Sequence, residues 1–224
     1  MASLHHRRRL DEAEYELWAL EQYRVALERQ LLQLIDQTPA RALRALHDQG
    51  QASDAAAVAL AEQETAELVN RVYPRYFRSP FVLVLCGVLE AILLGIAESL
   101  RDLKGVGLRF NDLHGDLLDR ADKYFRCVLE SPLDTTSPAW ERIRVVYTVR
   151  HCLIHAHGLV GSMRPEQARR LSDLSQGNCG LTVADGYIVL SDTFIQESTR
   201  FVVEWLRGPL RELREALDGA VDKA

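Results

Sequence analysis

The chain reads as all-α: a helical bundle with a long amino-terminal helix and a small β-hairpin inserted before the last helix. Three observations carry that reading. Apolar residues recur at spacings of three, four and seven over most of the 224 residues, which is the repeat of one helix face. Ser79-Pro80 and Ser137-Pro138 pair a capping side chain with a proline suited to the first helical position. Strict alternation is confined to Gly180–Leu190, around an Asp185-Gly186 step that favours a tight hairpin turn.

Taken in order, Leu17, Leu20, Leu27, Leu31 and Leu34 set a helix from Leu10 to about Ile35. Thr38-Pro39 should break it, with a short helix over Arg41–His47 to follow. Asp54–Tyr73 reads as another helix, capped by Ser53 or Asp54 and ended by Pro74. Ser79-Pro80 then opens an apolar helix reaching about Leu103, stopped by Gly105 and Gly107. His114–Leu129 is a further helix, and Ser131 to Ser137 is the loop after it. The helix from Ser137-Pro138 carries Trp140, Ile143, Val146, Tyr147 and Ile154 down to Gly158 as carboxyl cap. Pro165–Leu174 adds a short helix, and Ser191 caps a last helix interrupted or kinked at Gly208-Pro209. No repeat and no Gly-, Ser- or Pro-rich linker divides the chain. The expected organisation is one domain over residues 1–224, with residues 1–70 as a helical extension and 71–217 as the core bundle.

Apolar residues at 47 % and charged residues at 26 % are the proportions of a folded globule and exclude a disordered chain. A formal charge of −5 argues against a protein that coats nucleic acid non-specifically, because that affinity needs many cations on phosphates at once. A small phosphate-reading site is still allowed. The four cysteines, Cys86, Cys127, Cys152 and Cys179, form no Cys-x-x-Cys pair, so a zinc ribbon or a disulfide scaffold lacks support and a reducing cytoplasm is expected. The basic residues 5–9 are followed by Asp11-Glu12-Ala13-Glu14 and not by an apolar run, so no secretory signal is expected. Phe81–Ala97 suggests a membrane span, but it is short for one and carries Glu90 in its middle. It reads instead as a core helix enclosed by its neighbours, with Glu90 paired or facing a polar cleft.

One segment is not explained by folding. Arg150-His151-Cys152-Leu153-Ile154-His155-Ala156-His157-Gly158 places three histidines and an arginine on a helix that is otherwise core. His151 and His155 share a face, whereas Arg150 and His155 lie about 140° apart around a 3.6-residue helix. For both to reach one phosphate, the last turn must unwind near Gly158, the arginine must bend round, or a second copy must supply the other half. Each residue also has a plain structural role available. His157 can satisfy the last carbonyls of its helix, and Cys152 fits a small buried apolar position. His151 and His155 have the spacing of a helical zinc pair. No acidic or cysteine ligand stands at matching spacing on that face, so no metal is expected. Along the chain Arg150 has no acidic residue within a turn, which suits an anion site.

An imidazole that titrates near neutral pH can take a proton from a ribose 2′-hydroxyl or give one to a leaving 5′-oxygen. An arginine can hold the non-bridging oxygens while charge builds on phosphorus. Together they suffice for RNA cleavage without metal or other cofactor, and DNA, lacking the 2′-hydroxyl, would be spared. A local basic patch from Arg144, Arg150, Arg164, Arg169 and Arg170 is expected on the otherwise acidic body.

The Arg150-x-x-x-x-His155 spacing resembles the signature of the HEPN superfamily of all-helical domains found in prokaryotic toxins and defence systems. The wider phrase VRHCLIHAHG and the upstream YPRYFRSPFVLVLCGVLEAILLGIAESL with its single Glu90 are similar to that family's motif helix and preceding core helix. The likeness covers about residues 70–207. It implies a four- or five-helix bundle that dimerises so that two motifs line one cleft, with metal-independent ribonuclease activity. It further implies that Arg150 binds and polarises the phosphate, that His155 is the general base or acid, and that His151 fills the polar position beside the arginine. Here His151 stands where the family commonly has Asn, and His157 stands where toxins modified by their antitoxins carry Tyr.

The sequence therefore points to a cytoplasmic endoribonuclease of a toxin or defence system, cutting RNA by 2′-hydroxyl transesterification. Arg150, His155 and His151 would be catalytic, Arg144 and Arg164 would hold RNA phosphates, and Glu90 and His157 would support them. The expected partners are an RNA substrate, a second copy completing the site, and an antitoxin or other partner protein. The alternative is a non-catalytic dimeric helical module that binds RNA, a nucleotide or a protein.

Overall fold

Among the described residues, leucines at helical spacing and capping residues at loop ends build seven α-helices and one hairpin, and the fold is all-α apart from that hairpin. The structure is a computed structural model describing residues 2–177 and 179–221. The helices are α1 (Ala2–Asp48), α2 (Ala55–Glu67), α3 (Tyr73–Lys104), α4 (Leu117–Cys127), α5 (Pro138–Ala156), α6 (Pro165–Gln176) and α7 (Asp192–Val221). The strands β1 (Leu181–Ala184) and β2 (Tyr187–Leu190) pair antiparallel, with Leu181 opposite Leu190 and Ala184 opposite Tyr187. Asp185 and Gly186 turn between them with φ of 49° and 80°. Two successive positive φ values are what a two-residue hairpin turn of matching twist requires.

Four prolines expected to bound or bend helices lie inside them. Pro39 sits within α1, where Thr38 Oγ1 donates to the Leu34 carbonyl at 2.6 Å. Buried Leu31, Thr38 and Leu46 continue the inward face on both sides of it, so burial carries the helix through a position that propensity alone would break. Pro74 does not end a helix either. The Tyr73 N–H reaches back five residues to the Leu68 carbonyl, in a π-turn over Leu68–Val72 that joins α2 to α3. That wider turn makes room for the Pro74 ring, which an α-turn would press against the Asn70 carbonyl. Pro80 lies inside α3 and not at its start. It is exposed, as is Tyr76 one turn earlier, so water can take the carbonyl that the proline leaves without a donor. Pro209 lies inside α7, which is not interrupted there. Gly208 before it has no Cβ to clash with the proline ring, which relaxes the usual restriction.

The other boundaries move less. Asp54 caps α2 through Ala56 N–H at 2.9 Å, and Asp116 caps α4, which starts at Leu117 and not at His114. Ser137 Oγ accepts from Trp140 N–H at 3.3 Å, and Ser191 Oγ from Phe194 N–H at 3.1 Å, as their caps predict.

Two compact units make up the chain, each assembled from segments distant in sequence. The first takes residues up to Glu21, Leu83–Thr148 and Glu197 onward. Its core includes Leu17, Leu89, Leu93, Tyr124, Phe125, Ile143 and Leu206. Trp140 and Trp205 stack at 5.1 Å, and Trp205 Nε1 donates to the Asp134 carbonyl at 2.7 Å. Buried His6 Nδ1 bonds Ser99 Oγ at 3.2 Å, and burial pushes its pKa below the ordinary value, against the pull of Asp102 and with help from His5 and Arg9.

The second unit takes Gln22–Val82 and Val149–Gln196. Leu31, Phe81, Val149, Cys152, Leu171, Ile188 and Phe194 are buried there. Arg78 joins three elements by meeting the Glu28 carboxylate of α1 and donating to the Leu190 carbonyl at 2.9 Å. Gly180 leads into β1 with φ of 76°, and a Cβ at that position would lie 2.9 Å from Phe194 N, so both dihedral and space call for glycine.

The apolar helix departs from its expected enclosure. Within the continuous stretch Ala55–Lys104 an 18-residue window has mean hydropathy 2.4, long and apolar enough to cross a membrane by length and composition, and half of it is buried inside the protein. Leu83 and Val84 are 37 % and 41 % exposed, so one face of α3 is open.

Candidate functional site

The last two turns of α5 carry the histidine cluster because Val149, Cys152 and Ala156 form a buried stripe, which turns the polar residues outward. Arg150 and His151 are half-buried, and His155 and His157 are exposed. The His151 and His155 rings lie 4.5 Å apart at a tilt of 48°, the meeting expected of residues four apart. Burial lowers the His151 pKa below 6.5, and the positive charges of His155, Arg164 and Arg150 lower it further. Arg164, on the loop before α6 and eight residues beyond the helix, is thus brought into the electrostatic surroundings of the pair.

The helix does not unwind after His155. It holds to Ala156, and Gly158 N–H closes back on the Cys152 carbonyl at 3.1 Å, while His157 and Gly158 take φ of 49° and 80°. This is a carboxyl-terminal closure through the left-handed region. Residues 158–160 then pair with the hairpin: Ile188 N–H donates to the Gly158 carbonyl and Val160 N–H to the Gly186 carbonyl, each at 2.9 Å. Of the three routes by which Arg150 and His155 can serve one phosphate, unwinding of the last turn is thereby closed. Bending of the arginine and completion by a second copy are the two that stand.

Arg150, His151, His155, His157 and Arg164 belong to the second unit, with Arg169 and Arg170 exposed on α6. Arg144, exposed on α5, and Glu90, half-buried on α3, belong to the first. Cys152 is fully buried, and burial pushes its thiol up to about 11. That makes it an apolar filler, since a nucleophile must be thiolate. Among the described residues no group of three His, Cys, Asp or Glu is placed to hold a metal ion.

One residue escaped the sequence reading. Arg75 donates from Nη2 to the His157 carbonyl at 2.8 Å, and its guanidinium lies 3.9 Å over the Tyr187 ring. It stands 82 positions before its acceptor, and no local pattern relates the two. The concentration of arginine and tyrosine in Tyr73-Pro74-Arg75-Tyr76 is the one local signal that could have singled it out.

The His151 shift sets a pH dependence of stability. Above its ordinary value of 6.5 the ring is neutral in folded and unfolded chains alike. As pH falls through 6.5 the unfolded chain takes the proton more readily, so folding stability falls, and His6 acts in the same sense. The urea midpoint should therefore drop between about pH 7.5 and 5.5, and drop less in His151→Gln. Equal drops in both proteins would contradict this.

No family model, no curated protein and no solved structure matches the chain.

Proposed function

We propose that this protein is a metal-independent endoribonuclease of the HEPN type, acting in the setting of a toxin or defence system. The observation that carries the reading is the pair of rings 4.5 Å apart on a helix that stays intact to Ala156, with Arg150 and Arg164 both felt at His151. Two imidazoles and two guanidiniums form an electropositive group on a chain of net charge −5, suited to one or two phosphates of a single strand.

In this reading Arg150 and Arg164 hold the non-bridging oxygens of the scissile phosphate. His151, held neutral at pH 7, accepts the 2′-hydroxyl proton as O2′ bonds to phosphorus. His155 gives a proton to O5′ as the P–O5′ bond breaks. The products are a 2′,3′-cyclic phosphate and a 5′-hydroxyl, so atoms and charge balance without a cofactor. His157, at the end of the same helix, plays a supporting part. Unless the arginine bends round within its own chain, a second copy completes the cleft, and an antitoxin or other partner protein restrains it.

The test is incubation with a single-stranded RNA in EDTA beside a DNA of the same sequence. RNA should be cut and DNA left whole. Cutting of both, or of neither, would overturn the assignment, and uncut RNA that is nonetheless bound would favour the non-catalytic module.

A further inference from the structure

We infer that Arg75 is a positioning residue for His155, acting through a clamp that the hairpin closes on the end of α5; the inference rests on the ribonuclease reading. His155 stands one residue before the last helical position, so its placement depends on the turn that follows. That turn is costly to hold by itself, because His157 is a non-glycine residue with φ of 49° and the last carbonyls of a helix lack internal partners. Arg75 braces that turn from outside the helix. Its Nη2 donates to the carbonyl of His157, and the face of its guanidinium lies over Tyr187. Tyr187 bridges Leu159 from β2, so one side chain ties α3, the turn and the hairpin together.

A second arginine one turn earlier grips the same hairpin. Arg71, in the π-turn, pairs with Glu67 and reaches Asp185 of the hairpin turn at 3.6 Å. The π-turn and Pro74 therefore set the aim of the two clamping arginines, which gives that irregular stretch a purpose beyond accommodating proline. A misplacement of about 1 Å at a reacting group is enough to cost on the order of a hundredfold in rate.

The experiment compares the parent with Arg75→Ala and Arg75→Lys, each checked for unchanged helix content. Two readouts are taken: the NMR resonance of the His155 ring with amide exchange over 156–160, and kcat and KM on RNA. In Arg75→Ala the ring resonance should shift and amide exchange should quicken. Its kcat should fall by about one to two orders of magnitude with KM little changed. Arg75→Lys, which keeps a donor but stacks less well, should fall between. An unmoved ring and unchanged exchange in Arg75→Ala would overturn the clamp, whatever the activity. A moved ring with unchanged kcat would overturn its role in positioning the reaction. If the parent itself cuts no RNA, the ribonuclease reading and the catalytic part of this inference fall, while the NMR still decides the clamp.

Discussion

His155→Ala should lose RNA cleavage by at least about 10²- to 10⁴-fold, the usual contribution of a positioned acid or base, while the protein stays folded. The ring is exposed and meets the His151 ring, so the stability change should be within about 0.5 kcal/mol. Arg150→Ala should lose about 10²- to 10³-fold, as removal of a charge-stabilising donor does. The double variant should be little worse than the poorer single one, since residues that act as one unit do not add. Mixing the two inactive variants separates the routes left open by the intact helix end. If Arg150 of one copy serves His155 of the other, a mixed dimer carries one whole site, and mixing should restore about a quarter of parent activity. If the arginine bends within its own chain, mixing restores nothing.

Arg78→Ala should be among the most damaging single changes to the fold. The Arg78 and Glu28 side chains are only 12 % and 11 % exposed, and Arg78 Nε donates to Glu28 Oε2 at 3.1 Å while Nη1 holds the Leu190 carbonyl at 2.9 Å. Removing the arginine leaves a carboxylate without its partner in a largely dry site, a change that costs about 3–5 kcal/mol. In a chain of this length that corresponds to roughly a 10 °C fall in Tm. Replacing both partners by methionine should recover most of it, because an apolar pair of similar volume removes the stranded charge. Thermal unfolding of the three proteins checks this; a loss under about 1 kcal/mol in the single variant would contradict it.

Local chemistry made much of this architecture legible. The alternation at residues 181–190, the Asp185-Gly186 turn, the caps at Asp54, Ser137 and Ser191, and the stop at Gly158 all depend on neighbours within a few residues, and each stands where its pattern placed it. The proline positions misled for the opposite reason. Whether Pro39, Pro74, Pro80 or Pro209 breaks a helix depends on burial, on the wider turn at Leu68–Val72, on solvent at Tyr76 and on the absence of a Cβ at Gly208, none of which the proline itself encodes. The same distinction holds at the site. The i, i+4 pairing of His151 and His155 follows from the helix period, whereas Arg75 reaches His157 only through tertiary packing.

In the proposed reaction the Arg150 and His155 group cuts RNA through its 2′-hydroxyl without metal. The measurement that tests it most directly is the chemistry of the ends formed from one defined single-stranded RNA in EDTA, by parent and by His155→Ala. The parent should leave 2′,3′-cyclic phosphate and 5′-hydroxyl ends, and the variant should leave the RNA intact. Products ending in a 3′-hydroxyl, or equal cleavage by both proteins, would contradict it.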